Sequence, residues 1–224
     1  MIIWDFDGTL LPLAPYDSEH TLMLHKLGDT SPRPPYLVRA IARLLIEADR
    51  RQMLSNTFKQ FYIRLMKGTP LNLLDQVSRR LSDSISTQDR QTIRHLNSEN
   101  YRMMVLSCGT ADLSESVLKM AGLGDCFESI AGNRFNIENG RINGMTLHIA
   151  EPADKVIWLT KMGISAERAV AVGDGYTDIP MLDWAETAVL VDRSGKKRKR
   201  YKGKNYRIIS SISEIIDVLD LDVV

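Results

Sequence analysis

Short apolar runs alternate with amphipathic stretches in the first residues and in the second half of the chain. The runs with the length of one buried strand are residues 2–6, 103–106, 169–172, 188–191 and 206–209. The stretches that repeat apolar side chains at helical spacing are residues 113–121, 155–162 and 212–219. Buried strands that alternate with helices predict an α/β fold, in which a parallel, Rossmann-like sheet carries helices on both faces.

Residues 14–96 interrupt this alternation, because their apolar side chains follow helical spacing throughout. The three stripes are Leu37, Ile41, Leu44, Leu45 and Ala48; Phe58, Phe61, Tyr62 and Leu65; and Leu74, Val77, Leu81 and Ile85. Such stripes are typical of the core of a small helical bundle. We therefore expect them to be buried, and we expect Arg39 and Arg43, opposite the first stripe, to lie in solvent. The predicted domains are a core of residues 1–13 and 97–224 and an all-helical cap of residues 14–96, inserted after the first strand.

Local signals predict where several elements begin or turn. Thr69 followed by Pro70 is typical of a helix N-cap and first turn, and Ser86 with Asp89 resembles a capping box. Residues 134–137 and 141–145 flank an Asn-Gly pair, which predicts a tight β-hairpin.

The composition is that of an ordinary globular protein, with 44% hydrophobic and 25% charged residues among 224. The net charge of +1 argues against a polyanionic partner, and no stretch reaches the roughly 20 apolar residues that cross a bilayer. Neither nucleic acid nor a membrane is therefore expected as a partner. Cys108 and Cys126 lack the spacing of paired metal ligands, which favours free thiols in a reducing compartment. Because Met1 leads directly into an acidic motif, without room for a signal peptide, we expect a cytoplasmic protein.

One strongly basic run, residues 193–204, follows the fourth apolar run. We expect it to form a solvated loop, which could draw anionic substrates toward a nearby site by long-range attraction. Nucleic-acid binding is the less favoured alternative for such a run.

Carboxylates stand at or just after the ends of the first and third apolar runs. Asp5 and Asp7 end the first run, and Asp174 and Asp178 follow the third. Ligands bind at the carboxyl ends of strands in open parallel sheets, so we expect these side chains at one edge. One carboxylate can attack phosphorus while another transfers a proton, and Mg²⁺ takes oxygen ligands. Taken alone, either motif is also compatible with a polar turn or a pair of helix-capping acids.

A hydroxyl and a lysine lie at two further points of the same predicted edge. Ser107, with Gly109 behind it, stands where the second run gives way to a helix, and backbone N–H groups at a helix N-terminus bind anions. Lys155 opens a later helix and could offset phosphate charge, whereas a surface lysine paired with Asp154 is the alternative. The order and spacing of the four segments favour one site for an anion and a metal.

This order of motifs resembles the haloacid-dehalogenase superfamily. Its phosphatase members carry Asp-x-Asp-x-Thr, then Ser or Thr, then Lys, then Gly-Asp-x-x-x-Asp. The matching residues here are Asp5, Asp7 and Thr9; Ser107; Lys155; and Asp174 and Asp178. The resemblance covers about residues 1–13 and 97–212, and the helical insertion and residues 131–144 are similar to the phosphoserine-phosphatase-like branch.

The resemblance implies a haloacid-dehalogenase-type core with a helical cap, and a Mg²⁺-dependent phosphoric monoester hydrolase that acts on a small phosphorylated metabolite. Asp5 would be the nucleophile that becomes an aspartyl-phosphate, and Asp7 would act as acid and base. The residues that would bind the phosphoryl group are Thr9, Ser107, Gly109 and Lys155. The residues that would hold Mg²⁺ are Asp5, Asp7 through its backbone carbonyl, Asp174, and Asp178 as a ligand or a partner behind the ligands.

Several other functions share parts of this pattern. Phosphotransfer to another metabolite, including mutase activity, stays open because it uses the same aspartyl-phosphate. A non-catalytic phosphoacceptor or anion-binding regulatory protein also gathers acids, a hydroxyl and a lysine at a sheet edge, but receiver domains are much shorter and lack a helical insertion. Dehalogenation has no use for Asp7 or for Mg²⁺, and an ATP-driven ion pump needs membrane spans.

The resemblance also sets an expectation for the substrate. Phosphoserine phosphatases typically carry a glutamate nine residues after the nucleophile, which recognises the amino group of the substrate, and Ala14 takes that position here. A buried ammonium without a partner is costly. Phosphoserine is therefore not expected to be the best substrate, unless Asp17 or Glu19 supplies the missing carboxylate.

Overall fold

A seven-stranded sheet in the order β4-β3-β2-β1-β5-β6-β7 forms the centre of the computed structural model, which describes residues 1–12, 15–29, 35–51, 53 and 55–220. The strands are β1 (Ile2–Trp4), β2 (Met103–Thr110), β3 (Ser129–Glu138), β4 (Arg141–Thr146), β5 (Val170–Gly173), β6 (Thr187–Val191) and β7 (Arg207–Ile209). Neighbouring strands are parallel, except that β3 and β4 form an antiparallel hairpin.

Helices occupy most of the remaining chain. They are α1 (Ser18–Asp29), α2 (Tyr36–Arg50), α3 (Ser55–Met66), α4 (Asn72–Ser82), α5 (Thr87–Ser98), α6 (Ala111–Met120), α7 (Pro152–Lys161), α8 (Ile179–Trp184), α9 (Lys197–Arg200) and α10 (Ile215–Val218). Short 3-10 helices lie at Gly124–Cys126, Tyr176–Asp178 and Ile212–Glu214. None of the helices described is both long enough and apolar enough to span a membrane.

Both faces of the sheet are apolar, because successive residues of a strand point to opposite sides. Ile2 and Trp4 belong to a buried cluster that includes residues of α5 and α6, whereas Ile3 belongs to a second cluster with residues of α7 and α8. The predicted parallel α/β sheet with helices on both faces is therefore confirmed.

Helices α1–α5 lie between β1 and β2, where the sequence predicts helices. Helix α4 packs against α6, and α5 contacts the 3-10 helix Ile212–Glu214. The buried residues of these inserted helices continue one core cluster of the sheet. The predicted domain boundary after residue 96 falls inside α5, and the boundary between residues 13 and 14 lies outside the described residues. The two-domain division stays a prediction.

The first predicted bundle stripe is wrong for three of its five residues, whereas Leu45 packs against the core cluster. Leu37, Ile41 and Leu44 are 68%, 39% and 71% exposed, whereas Ala42 and Ile46 are buried. Helix α2 contacts α1 and α3, and a helix packed along one side buries only the stripe that faces its neighbours. The small side chain of Ala42 lies on that inner stripe. Helical spacing reveals an apolar stripe, but it does not tell which stripe a neighbour covers.

The predicted helix start at Thr69 and Pro70 is also wrong, because α4 begins at Asn72. The turn before it, residues 68–71, instead pairs with β4. Backbone N–H groups donate from Gly68 to the Ile142 carbonyl (2.7 Å) and from Ile142 to the Thr69 carbonyl (2.9 Å). The turn therefore completes the outer edge of the hairpin.

The other local signals agree with the structure in large part. Ser86 is the N-cap of α5, and its side chain accepts a hydrogen bond from the backbone N–H of Asp89 (3.0 Å). The Asp89 carboxylate does not close the predicted box but faces Arg193 at 3.4 Å. In the hairpin turn, Asn139 and Gly140 have φ of 50° and 72°, the left-handed conformation that tight hairpin turns require. The predicted hairpin is confirmed.

Candidate active site

The carboxyl ends of β1, β2 and β5 meet at one edge of the sheet around a cavity of about 580 Å³. Asp5, Asp7, Ser107, Gly109 and Asp174 line this cavity. Strand β1 lies between β2 and β5, so the chain leaves it toward one side and later returns on the other. Such a switch point is where open α/β sheets bind ligands. Three segments that are distant in sequence therefore share one cavity.

Lys155 lies directly behind the cavity and has no exposed surface. Its Nζ atom donates to Asp5 at 2.9 Å and to Asp178 at 2.6 Å. Burial opposes its charge, but the two carboxylates raise the pKa of Lys155 well above its usual value, so the ammonium stays protonated. Among the described residues, Lys155 does not form the alternative surface pair with Asp154. The Asp154 carboxylate instead accepts the backbone N–H groups of Ala150 and Glu151 at the start of α7.

The Asp5 carboxylate is 5% exposed and forms part of the cavity floor. One of its oxygens accepts from Lys155, and the other accepts from the Thr9 hydroxyl at 3.3 Å. Thr9 is fully buried, so its side chain orients Asp5 from behind and does not line the cavity. Burial and the carboxylate of Asp178 raise the pKa of Asp5, and Lys155 opposes that rise.

The Asp7 carboxylate is held by a single residue of α1. The backbone N–H and the hydroxyl of Ser18 each donate to a different Asp7 oxygen, both at 2.8 Å. Burial and the nearby Asp17 raise the pKa of Asp7 to about 8, against the lowering effect of the Ser18 hydrogen bonds. Asp7 can therefore carry a proton at neutral pH and remain able to release it.

A group of carboxylates at this edge fits a hard cation. Oxygens of Asp5, Asp174 and Asp178 lie within 4.8 Å of one another, and Mg²⁺ prefers such oxygen ligands. Both oxygens of Asp178 already have protein donors: Lys155, and the backbone N–H groups of Asp174 (2.9 Å) and Gly175 (3.0 Å). Asp178 is therefore suited to orient the loop that carries Asp174, whereas Asp5 and Asp174 line the cavity.

A second group of possible ligands, Asp17, His20 and Asp49, also has its atoms within 4.8 Å of one another. The imidazole of His20 pairs with the carboxylates of Asp17 and Asp49, at 3.1 Å in each case. Burial lowers the pKa of His20, but the hydrogen bond to Asp49 and the charge of Asp17 raise it overall, so a protonated imidazole can bridge the two carboxylates.

Ser107 and Gly109 lie at the end of β2, not at the helix N-terminus that we predicted, because β2 continues to Thr110 and α6 begins at Ala111. The Gly109 N–H donates to the Ser107 hydroxyl at 3.0 Å. A Cβ atom on Gly109 would lie 3.2 Å from Ser107 Oγ and 3.3 Å from Asp7 Oδ2. Glycine thus lets the strand approach the two functional side chains closely.

Part of the basic run reaches the site. Lys197 pairs with Asp174 at 2.5 Å, and Arg193 donates to the Thr9 carbonyl at 3.1 Å. The carboxylate of Asp192 accepts backbone N–H groups of the following loop, including that of Lys197 at 2.7 Å. Most of the run is exposed, as expected, but the predicted loop is wrong for residues 197–200, which form α9, and for Tyr201, which is buried.

Three residues near the site carry no role in the sequence-based prediction, namely Ser18, Lys59 and Asn133, and Lys197 enters it only as part of the basic run. Asn133 stands in the segment that resembles the phosphoserine-phosphatase-like branch, which is a weak signal for it. Ser18 starts a helix and could have been identified as a cap, but its contact with Asp7 depends on tertiary structure. No pattern in the sequence marks Lys59, and Lys197 is marked only as a member of the basic run.

The sequence profile of the haloacid dehalogenase-like hydrolases matches residues 2–183. The chain belongs to this family. The superfamily resemblance stated from the four motifs is therefore confirmed.

Relatives of this hydrolase-family chain include a phosphoserine phosphatase of Archaeoglobus fulgidus, 28% identical over 77% of this chain and 50% of that protein. A phosphoserine phosphatase of Wolinella succinogenes is 24% identical over 57% of this chain and 61% of that protein. The chain therefore spans only about half to three fifths of the length of these relatives.

Solved structures of the same fold include a protein of unknown function from Bordetella pertussis, with a TM-score of 0.73, 17% identity and coverage of 95% of this chain and 98% of that one. A substrate-bound phosphoserine phosphatase complex has a TM-score of 0.68 and 19% identity, and covers 99% of this chain and 97% of that one. At this identity, the likeness shows the fold.

We expect Gly8→Ala to disturb the site beyond its cost in backbone strain. Gly8 has φ of 86°, and a Cβ atom there would lie 2.5 Å from Cγ of Asp174. Gly68 is the matched control, because its φ is 79° and a Cβ atom there would have no neighbouring atom within 4 Å. Gly68→Ala should lower the free energy of unfolding by about 1–2 kcal/mol, the usual strain of a left-handed residue.

Gly8→Ala should lower the free energy of unfolding by more than this control and should also weaken Mg²⁺ binding. Urea unfolding and calorimetric titration with MgCl₂ measure the two effects. Equal losses of stability in both variants, with equal Mg²⁺ affinity, would contradict the close approach of Gly8 and Asp174.

Proposed function

We propose that this chain is a Mg²⁺-dependent phosphatase that hydrolyses a small phosphate monoester through a phosphorylated Asp5. The observation that carries the proposal is the arrangement of charges at the cavity floor. The Asp5 carboxylate lies 2.9 Å from the Lys155 ammonium. One of its oxygens lies within 4.8 Å of oxygens of Asp174 and Asp178, so that one metal ion could contact all three. This places a nucleophile among groups that can offset the charge of a phosphate.

In the proposed first step, an oxygen of Asp5 attacks phosphorus and the bond to the leaving alcohol breaks. Asp7 gives its proton to that alcohol, because its raised pKa keeps it protonated near neutral pH. Ser107, the N–H of Gly109 and Lys155 would hold phosphoryl oxygens, and Thr9 would orient Asp5 from behind. The products are the free alcohol and an aspartyl-phosphate.

In the second step, the ionised Asp7 takes a proton from a water molecule, whose oxygen attacks phosphorus. The bond to Asp5 breaks, so inorganic phosphate leaves and both carboxylates return to their starting states. Mg²⁺, held by Asp5, the Asp7 carbonyl and Asp174 with Asp178 behind them, would offset the charge of the phosphoryl group when bound.

The domain division predicted from the sequence belongs to the same proposal. Residues 1–13 and 97–224 would form the core, and residues 14–96 the cap over the site. Side chains of α1, the end of α2 and α3 line the cavity together with the predicted phosphate ligands Ser107 and Gly109, which supports this role. Free Cys108 and Cys126, among the described residues, support a reducing compartment such as the cytoplasm.

The substrate is proposed to be a small phosphorylated metabolite other than phosphoserine. Ala14, which replaces the recognition glutamate, lies outside the described residues. Glu19 is not free to bind a substrate ammonium, because its two oxygens already accept hydrogen bonds from Lys59 and Thr110, each at 2.6 Å. Asp17 lines the cavity but is paired with His20, so it would have to exchange that partner for a substrate ammonium.

We expect Asp5→Asn to abolish turnover of p-nitrophenyl phosphate while the protein stays folded. The amide keeps the shape of the side chain but is no longer a nucleophile. EDTA should stop the wild-type reaction and MgCl₂ should restore it, since the carboxylate oxygens suit that ion. Circular dichroism serves as the control for folding. Activity of the variant comparable to wild type, or full activity after exhaustive chelation, would refute the proposed function.

The pH dependence should reveal the role of Asp7. A carboxyl group with a pKa of about 8 is protonated below that pH, so kcat for an alkyl phosphate should fall as pH rises through about 8. Asp17→Asn removes a carboxylate that raises the pKa of Asp7, so the falling limb should move to lower pH. p-Nitrophenyl phosphate is the control, because its leaving group needs little help from an acid. A limb that Asp17→Asn leaves in place would contradict the assignment.

Phosphoserine should not lead a panel that includes phosphoethanolamine, phosphocholine, sugar phosphates and histidinol phosphate. The reason is the missing glutamate at position 14 and the committed carboxylate of Glu19. The measurement is kcat/KM for each compound under the same Mg²⁺ concentration. A lead of about tenfold or more for phosphoserine, equivalent to about 1.4 kcal/mol, would show that another group recognises its ammonium.

A further inference from the structure

The peptide unit between Cys108 and Gly109 lies at the cavity wall, between two predicted phosphate ligands, Ser107 and Gly109. Its carbonyl oxygen accepts two hydrogen bonds, from Asn133 Nδ2 at 2.8 Å and from Lys59 Nζ at 3.2 Å. A trans peptide is planar, so its C=O and N–H point in opposite directions. Groups that hold the Cys108 carbonyl therefore also set the direction of the Gly109 N–H.

Asn133 holds this carbonyl from the core side. It is fully buried and donates to the carbonyls of Cys108 (2.8 Å) and Ile149 (3.1 Å). Its own oxygen accepts the backbone N–H groups of His148 (2.9 Å) and Ile149 (3.0 Å). These four bonds use the full capacity of an amide side chain. Asn133 thus ties the end of β2, with Ser107, to the segment that leads into α7.

Lys59 holds the same carbonyl from the side of the inserted helices. Its ammonium also pairs with Glu19 of α1 at 2.6 Å, and the other Glu19 oxygen accepts from the hydroxyl of Thr110 at 2.6 Å. The side chains of Lys59 and Glu19 are only 16% and 6% exposed. A buried ion pair needs well-placed partners to offset its desolvation, and here those partners flank Gly109 on both sides.

We propose that Lys59 and Asn133 are positioning residues that fix the direction of the Gly109 N–H, which donates to the Ser107 hydroxyl (3.0 Å) in this structure and to a phosphoryl oxygen once the substrate is bound. The inference rests on the proposed phosphatase function and adds a role for the inserted helices. Through Lys59, which lines the cavity, α3 contributes to phosphate binding by holding the Cys108 carbonyl. Thr110 holds Glu19, and Glu19 holds Lys59. The hydrogen bond from Lys59 to the Cys108 carbonyl therefore couples α1 and α3 to the end of β2, which would bind the anion.

Two sets of substitutions test this role. Lys59→Met combined with Glu19→Gln removes the hydrogen bond to Cys108 but keeps the net charge, so long-range attraction of the anion is unchanged. Asn133→Leu removes the second bond with a neutral side chain of similar size. The matched controls are Arg64→Met, an exposed cation on α3, and Asn136→Leu, an exposed amide on β3.

The main readout is the inhibition constant of inorganic phosphate against p-nitrophenyl phosphate hydrolysis. Each test variant should raise it about tenfold, the usual effect of losing a hydrogen bond to a charged group, while the controls should match wild type. The dissociation constant for Mg²⁺, measured by calorimetry without phosphate, should stay at its wild-type value, because the Cys108 carbonyl does not belong to the metal site. A merely structural role would weaken both affinities together.

A phosphate inhibition constant within about twofold of wild type in the folded charge-neutral variant would overturn the inference. So would parallel losses of phosphate and Mg²⁺ affinity. If Asn133→Leu fails to fold, the Lys59 and Glu19 variant decides alone. A wild-type protein that neither hydrolyses p-nitrophenyl phosphate nor binds phosphate would overturn the proposed function itself, whereas an active wild type with unaffected variants would overturn only the positioning role.

Discussion

The charge of one fully buried lysine is the constraint on which the rest of the site depends. A buried ammonium is very costly unless it is paired and hydrogen-bonded, and Lys155 meets this condition through Asp5 and Asp178. Removing both carboxylates would leave a buried charge without a partner, which is more damaging than removing the lysine together with them, whereas the loss of one carboxylate leaves the other paired with Lys155. The three side chains, which come from three segments of the chain, therefore have to be understood as one unit.

That unit sets the backbone around it. Asp178 can accept from Lys155 and from the N–H groups of Asp174 and Gly175 only if the loop after β5 folds tightly back on itself. Glycine at position 173 allows this, because a Cβ atom there would lie 2.4 Å from the Cβ atom of Asp178. The loop then presents Asp174 to the cavity beside Asp5. The geometry of the candidate metal ligands thus follows from how the lysine charge is balanced.

Much of the core could be predicted from the sequence, because its signals are local. The apolar runs identify the strands, and the carboxyl ends of parallel strands necessarily share an edge, so Asp5, Ser107 and Asp174 could be placed together. The burial of Lys155 could not be deduced from the residues alone, since its neighbour Asp154 offers an equally plausible surface pair. The motif order of the family, not the local pattern, distinguished the two interpretations.

The misses have a common physical cause. The apolar stripe of Leu37, Ile41 and Leu44 is real, but whether a neighbour covers it depends on the direction of approach of α1 and α3, which no local pattern contains. Asn133 was missed for the same reason, because its hydrogen bonds also depend on tertiary structure. An asparagine on a strand has no special signal, and its four hydrogen bonds connect segments separated by 16 and 25 residues along the chain.

The pairing of residues 68–71 with β4 affects how easily the sheet of one molecule could pair with a strand of another. An outer strand with free N–H and C=O groups is a template on which a strand of another molecule can add. Here the turn between α3 and α4 occupies that row, through backbone bonds to Ile142 and through the Arg141 guanidinium, which donates to the Gly68 carbonyl at 2.8 Å. The opposite outer strand, β7, has only three residues and includes the exposed Arg207. The start of β4 is thereby covered by the chain itself, and β7 is protected against edge-to-edge aggregation by its short length and its charge.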